Sequence, residues 1–126
     1  MSLKVLIVDD EEMTRELLSL VLRRQKYRLY EAEDGRQALD KIDRSKPDVV
    51  ILDVMMPRLD GIKTAQAIRA NLETADLPII MISAKSHSLA VKEGIAAGAN
   101  FYMSKPVNQL QLVKNIELCA TSMART

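Results

Sequence analysis

Several things are scarce in this sequence, and each scarcity excludes something. Cys119 is the only cysteine, so no internal disulfide and no cysteine metal cluster can form. There is no Trp, one Phe (Phe101) and three Tyr (Tyr27, Tyr30, Tyr102), so the core must be aliphatic. Charge of one sign is not in excess: the net charge is +1. Nothing resembles the basic footprint of a nucleic-acid or membrane-surface protein. The pair Arg23-Arg24 falls late in a helical segment, where cations complement the helix dipole. No apolar run approaches the roughly 20 residues of a membrane span. No signal peptide precedes "KVLIVDD", so a cytoplasmic protein is expected. Internal repeats, low-complexity segments and linkers are also missing. The 126 residues are therefore expected to form one domain, with a core over about 4–121 and a polar tail over 122–126.

What is present alternates. "KVLIV" (4–8), "RLYEA" (28–32), "VVILD" (49–53), "IIMIS" (79–83) and "FYM" (101–103) read as strands, the second weaker and suited to a sheet edge. Between them run helical patterns. Met13, Leu17, Leu20 and Val21 mark the first, and Ala38, Leu39 and Ile42 the second. Ile62, Ala65, Ile68 and Leu72 mark the third, and 87–97 form an Ala-rich fourth ended by Gly98. The last helix is expected from about Asn108 to Thr121, with Asn108 and Gln111 as a capping box. It is broadly apolar through Leu110, Leu112, Val113, Ile116, Leu118 and Cys119. Strict alternation of strands and helices implies βαβ units and a parallel sheet covered on both faces.

The third strand raises a question of cost. Asp53 interrupts the apolar run of "DVVILDVMMPRLDG", where an unpaired carboxylate is expensive to bury. Polar groups end other strands too: Asp9-Asp10 the first and Ser83 the fourth, while Lys105 follows the fifth. In an open parallel sheet, ligands bind beyond the carboxyl ends of the strands. If the first and third strands are neighbours, three carboxylates converge and call for a cation. A hard divalent ion such as Mg²⁺ suits them, with phosphate as a further ligand. Lys105 and Ser83 would add a positive charge and a hydroxyl for a phosphoryl group. Asp53 stands alone at its strand end and is the natural phosphoryl acceptor; Asp9 and Asp10 form a pair suited to the metal.

The ordered set "VDD" (8–10), "ILDVMMPRLDG" (51–61), "ISA" (82–84) and "YMSKP" (102–106) resembles the response-regulator receiver domain of two-component signalling. The resemblance covers nearly the whole chain. It implies a flavodoxin-like (βα)5 three-layer sandwich with a five-stranded parallel sheet in the order 2-1-3-4-5, for which a receiver is a standing example. It further implies that Asp53 accepts a phosphoryl group from a histidine kinase or phosphotransfer protein. Asp9, Asp10, Asp53 and the Met55 carbonyl would hold Mg²⁺, with Mn²⁺ as an alternative. Lys105 would pair with the phosphoryl group through a cis peptide to Pro106, and Pro57 and Gly61 would have structural roles. Ser83 and Tyr102 would act as the switch. The face built from the fourth helix, fifth strand and fifth helix would then signal to a downstream protein or a missing effector domain, or form a homodimer. Such a protein turns over no metabolite.

Blander readings stand beside these. Glu11 and Glu12 read as acids at a helix start. Asp60 reads as turn chemistry before Gly61, Lys85 as a solvated lysine near the site, and His87 as an exposed helix-start residue. Asp53 permanently paired with Lys105 would make a degenerate receiver that only binds partners. A haloacid-dehalogenase-type hydrolase needs a second Asp two residues after the nucleophile, and Met55 stands there. A dinucleotide-binding domain needs a Gly-rich turn after the first strand, and "VDDEEM" has no glycine.

Overall fold

The five apolar runs become five strands, separated by five helices. The computed structural model describes residues 2–124, with side chains as far as Thr121. The order is β1 (Lys4–Val8), α1 (Glu12–Arg23), β2 (Arg28–Ala32), α2 (Gly35–Ser45), β3 (Val49–Asp53), α3 (Gly61–Ala70), β4 (Ile79–Ser83), α4 (Ser88–Ala97), β5 (Phe101–Ser104) and α5 (Gln109–Ala124). All strand pairs are parallel, in the order β2-β1-β3-β4-β5. This is the flavodoxin-like arrangement expected.

Side chains alternate across each strand, so the central strands feed two cores at once. Leu6, Val8, Val50, Leu52, Ile79 and Met81 meet Ala38, Ile42, Ala65, Ile68 and Ala97 from α2, α3 and α4. Val5, Ile7, Val49, Ile51, Ile80 and Ile82 meet Leu18, Leu22, Leu112, Ile116 and Cys119 from α1 and α5. Burial on both faces explains why β1, β3 and β4 read as unbroken apolar runs. The edge strands β2 and β5 keep partly exposed positions. No helix among the described residues is long and apolar enough to cross a membrane.

Polar side chains cap the starts of α2, α3, α4 and α5. The side chains of Asp34, Asp60 and His87 accept the backbone N–H of Gln37, Lys63 and Ala90. Asn108 Oδ1 likewise accepts Gln111 N at 2.9 Å. The expected capping box is only half formed, because the Gln111 amide donates to Asn115 Oδ1 at 2.9 Å instead of reaching back.

Other expectations need correction. The apolar stripe read on α1 is mostly the wrong one: Met13, Leu17 and Leu20 are 72%, 59% and 58% exposed, and of its four residues Val21 alone packs against the core. The buried stripe is Arg15, Leu18, Ser19 and Leu22. It looked polar because it includes Arg15, whose Nη1 donates to the Asp9 carbonyl at 2.7 Å and whose Nε pairs with Glu31 at 3.0 Å. Leu72 lies beyond α3 and is exposed, since the helix stops at Ala70. β5 includes Ser104, and α5 continues to Ala124; the rest of the expected tail, 125–126, lies outside the described residues. The breadth of α5 divides as a helix must: Leu112, Ile116 and Cys119 are buried, Leu110 and Leu118 exposed.

Candidate functional site

Strand register assembles the site. Val8 pairs with Leu52, so the next residues, Asp9 and Asp53, fall side by side at the ends of β1 and β3. Asp53 pairs with Ile82, one residue before Ser83, and Ser83 pairs with Ser104, one before Lys105. Every polar group that interrupts an apolar strand thus falls on the carboxyl edge. Gly61 lets the chain return close to β3: a Cβ there would collide with the Asp53 carbonyl oxygen and Val54 Cα. Pro57 is exposed on the β3–α3 loop, and the Lys105–Pro106 bond is cis.

One carboxylate oxygen from each of Asp9, Asp10 and Asp53 lies within 4.8 Å of the others. Asp9 and Asp53 are buried, and Asp10 is exposed at the mouth. Lys105 Nζ sits 3.0 Å from Asp9 Oδ2 and 3.4 Å from Asp53 Oδ1, with Glu11 Oε1 at 4.0 Å. Its nearer partner is therefore Asp9. Asp9 Oδ1 is engaged by Glu11 N at 2.9 Å, while Met55 N approaches Asp53 Oδ1 at only 3.4 Å. Asp53 is left the least satisfied of the buried acids.

The electrostatics follow. Burial, and then the charge of Asp9, push the Asp53 carboxyl up to about 6, against the opposing pull of Lys105 and Met55 N–H. Burial alone would lower the Lys105 ammonium, but the hydrogen bond to Asp9 and the charges of Asp53 and Asp9 outweigh it and hold the pKa above its ordinary value. Three carboxylates against one ammonium leave a deficit of positive charge. The donors are all oxygen, two are buried, and the third side is open. That set fits a hard divalent cation that retains waters.

Ser83 is buried, and its Oγ accepts Lys85 N at 3.0 Å; among the described residues no protein acceptor takes its O–H. Tyr102 is half-buried, its ring packs so close to Gly94 that a Cβ there would collide with it, and its hydroxyl donates to the Lys85 carbonyl at 2.7 Å. The backbone of Lys85 thus links Ser83 to Tyr102. Asp60 and His87 serve as helix caps. Four residues were not foreseen: Arg15, Asp34, Arg58 and Arg69. Only Asp34 had a signal, an Asp three residues before Gln37 at a helix start.

The fold and this carboxyl-edge cluster define a receiver-type switch. The sequence model of the response regulator receiver domain matches residues 5–117, and the chain belongs to that family. It is a receiver of two-component signalling, in a family that binds Mg²⁺ through acidic residues and acts as a switch rather than a metabolic enzyme. It is similar to the alkaline phosphatase synthesis transcriptional regulatory protein PhoP of Bacillus subtilis, with 42% identity over 106 residues, 84% of this chain and 43% of PhoP. It is similar to response regulator MprA of Mycolicibacterium vanbaalenii at 42% identity, covering 84% of this chain and 45% of MprA. The chain therefore spans just under half the length of these relatives. The chemotaxis protein CheY4 of Vibrio cholerae superposes with a TM-score of 0.88 at 34% identity, over 94% of this chain and 99% of that one.

Proposed function

We propose that Asp53 accepts a phosphoryl group from a phosphohistidine of a histidine kinase or phosphotransfer protein. One Asp53 oxygen forms the new P–O bond as the donor's P–N bond breaks. The electron pair goes to the imidazole nitrogen, and an acyl phosphate remains on the chain. The observation that carries this reading is the buried, under-satisfied Asp53 beside Asp9, Asp10 and Lys105.

Asp9, Asp10, Asp53 and the Met55 carbonyl would hold Mg²⁺, or Mn²⁺. What the bound cation supplies is neutralisation of phosphoryl oxygens next to Asp53. Lys105 would shift from Asp9 toward a phosphoryl oxygen, and the Ser83 O–H, lacking a protein acceptor, would donate to another. Movement at Ser83 would pass through Lys85 to Tyr102, and so to the face of α4, β5 and α5. Exposed apolar residues on those helices, Leu89, Ile95, Leu110 and Leu118, support a partner, a second copy or an effector domain reading that face. For the phosphodonor, the groove lined by Leu17, Leu20, Val21, Lys105, Pro106 and Val107 is continuous with the site through Lys105. In this reading the chain is one cytoplasmic receiver unit over 1–126.

The test is intact mass after incubation with Mg²⁺ and acetyl phosphate, with Asp53→Ala and a metal-free control alongside. One phosphoryl increment, absent in both controls, is expected. No increment in a chain that demonstrably binds Mg²⁺ would make it a phosphorylation-independent binding module.

A further inference from the structure

The loop between β3 and α3 carries the Met55 carbonyl, and beyond the long contact of Met55 N with Asp53 its ties lie outside the acid cluster. Its ends are tied by Val54 N to the Ile82 carbonyl at 3.0 Å and by Gly61 N to the Val54 carbonyl at 2.9 Å. Its middle is held against the start of α2. Gly35 N donates to the Leu59 carbonyl at 3.2 Å, and Arg58 Nη1 donates to Asp34 Oδ2 at 2.7 Å.

That ion pair is lopsided. The Asp34 side chain is 4% exposed and the Arg58 side chain 71%, so the guanidinium reaches in from solvent to a buried carboxylate. Asp34 is already committed to the helix, because its Oδ1 accepts Gln37 N at 2.9 Å. Its carboxyl lies below the ordinary range, first through that N–H and then, against burial, through Arg58. Arg58 meanwhile sits at φ 66°, a left-handed conformation that costs any residue with a Cβ. Glycine would make this turn without strain. What Arg58 adds, and glycine cannot, is the tie to Asp34. Asp34 in turn follows the end of β2, where the Ala32 carbonyl accepts Asp9 N at 3.1 Å. The loop and Asp9 are therefore fastened to one frame.

We infer that Arg58 is a positioning residue for the cation site: its pair with Asp34 fixes the 54–60 loop so that the Met55 carbonyl faces the cation beside Asp53. This rests on the reading of the acids as a Mg²⁺ site. Calorimetric Mg²⁺ titration of the full chain tests it, with Arg58→Gly, Arg58→Met and Arg58→Lys. Urea unfolding and amide exchange over 54–60 are measured on the metal-free proteins. The glycine variant loses the tie but also the strain, and the methionine variant loses only the tie. The expected result is a Kd for Mg²⁺ raised roughly three- to tenfold in both, with partial recovery in the lysine variant. Stability should fall in the methionine variant alone, while exchange in the loop speeds in both. Wild-type Mg²⁺ affinity in the glycine and methionine variants would overturn the inference. So would a loss confined to the less stable methionine variant, which would show a structural role only. A wild-type chain that binds no Mg²⁺ would instead overturn the cation reading itself.

Discussion

Asp53 is held in an environment that disfavours its charge, and this has a sign that can be measured. Its carboxyl lies at about 6 in the folded chain against an ordinary 3.8. Between those values the folded state binds the proton more tightly than the unfolded state does. Stability contributed by this group therefore falls as pH rises through about 6 and stays low above it. In metal-free protein, Asp53→Asn is expected to be more stable than wild type by about 1–3 kcal/mol at about pH 8. The gap should close as pH falls below about 4, and urea unfolding at the two pH values checks this. A second expectation concerns Met55, a residue 53% exposed beside the site. A thioether cannot orient an attacking water as an amide can. Met55→Asn should shorten the phosphoryl half-life severalfold, read by the decay of the phosphorylated mass after removal of donor.

At the scale of elements, side-chain ties over long sequence separations decide what periodicity leaves open. Arg69 illustrates this at the end of the sheet opposite the acids. Its guanidinium donates to the Gly98 carbonyl at 2.7 Å, to Leu77 at 2.6 Å, to Ala75 at 3.1 Å and to Asn100 Oδ1 at 3.1 Å. It thereby joins the end of α3, the approach to β4 and the end of α4. Arg69→Met should cost about 2–4 kcal/mol in urea unfolding, through carbonyls left without a charged donor. Mg²⁺ affinity should stay at the wild-type value, because the acids lie at the other edge. Neither the tie from Arg69 to Gly98 nor that from Arg58 to Asp34 could be read from the sequence, since they span 29 and 24 residues and leave no period. On α1 the pattern was visible but ambiguous. Adjacent pairs such as Leu17-Leu18 make two apolar stripes, and the one that turns inward carries Leu18 and Leu22 beside Arg15.

At the scale of the molecule, far more was legible. Buried parallel strands read as unbroken apolar runs, so Asp9, Asp53 and Ser83 stood out as interruptions, and their common position at strand ends placed them on one edge. The strand order came from the family resemblance, and with it the neighbouring of β1 and β3. Side-chain geometry then adds what the sequence lacked, namely that Lys105 lies nearer Asp9 than Asp53. Lys105 is thus shared between the two buried carboxylates.

Reductive trapping would show which carboxylate carries the phosphoryl group. Borohydride converts an aspartyl phosphate to homoserine, which peptide mass mapping locates. After incubation with acetyl phosphate and Mg²⁺, homoserine is expected at position 53 alone, and nowhere when Mg²⁺ is omitted. Homoserine at Asp9 or Asp10, or none at any position in protein that binds Mg²⁺, would contradict the account.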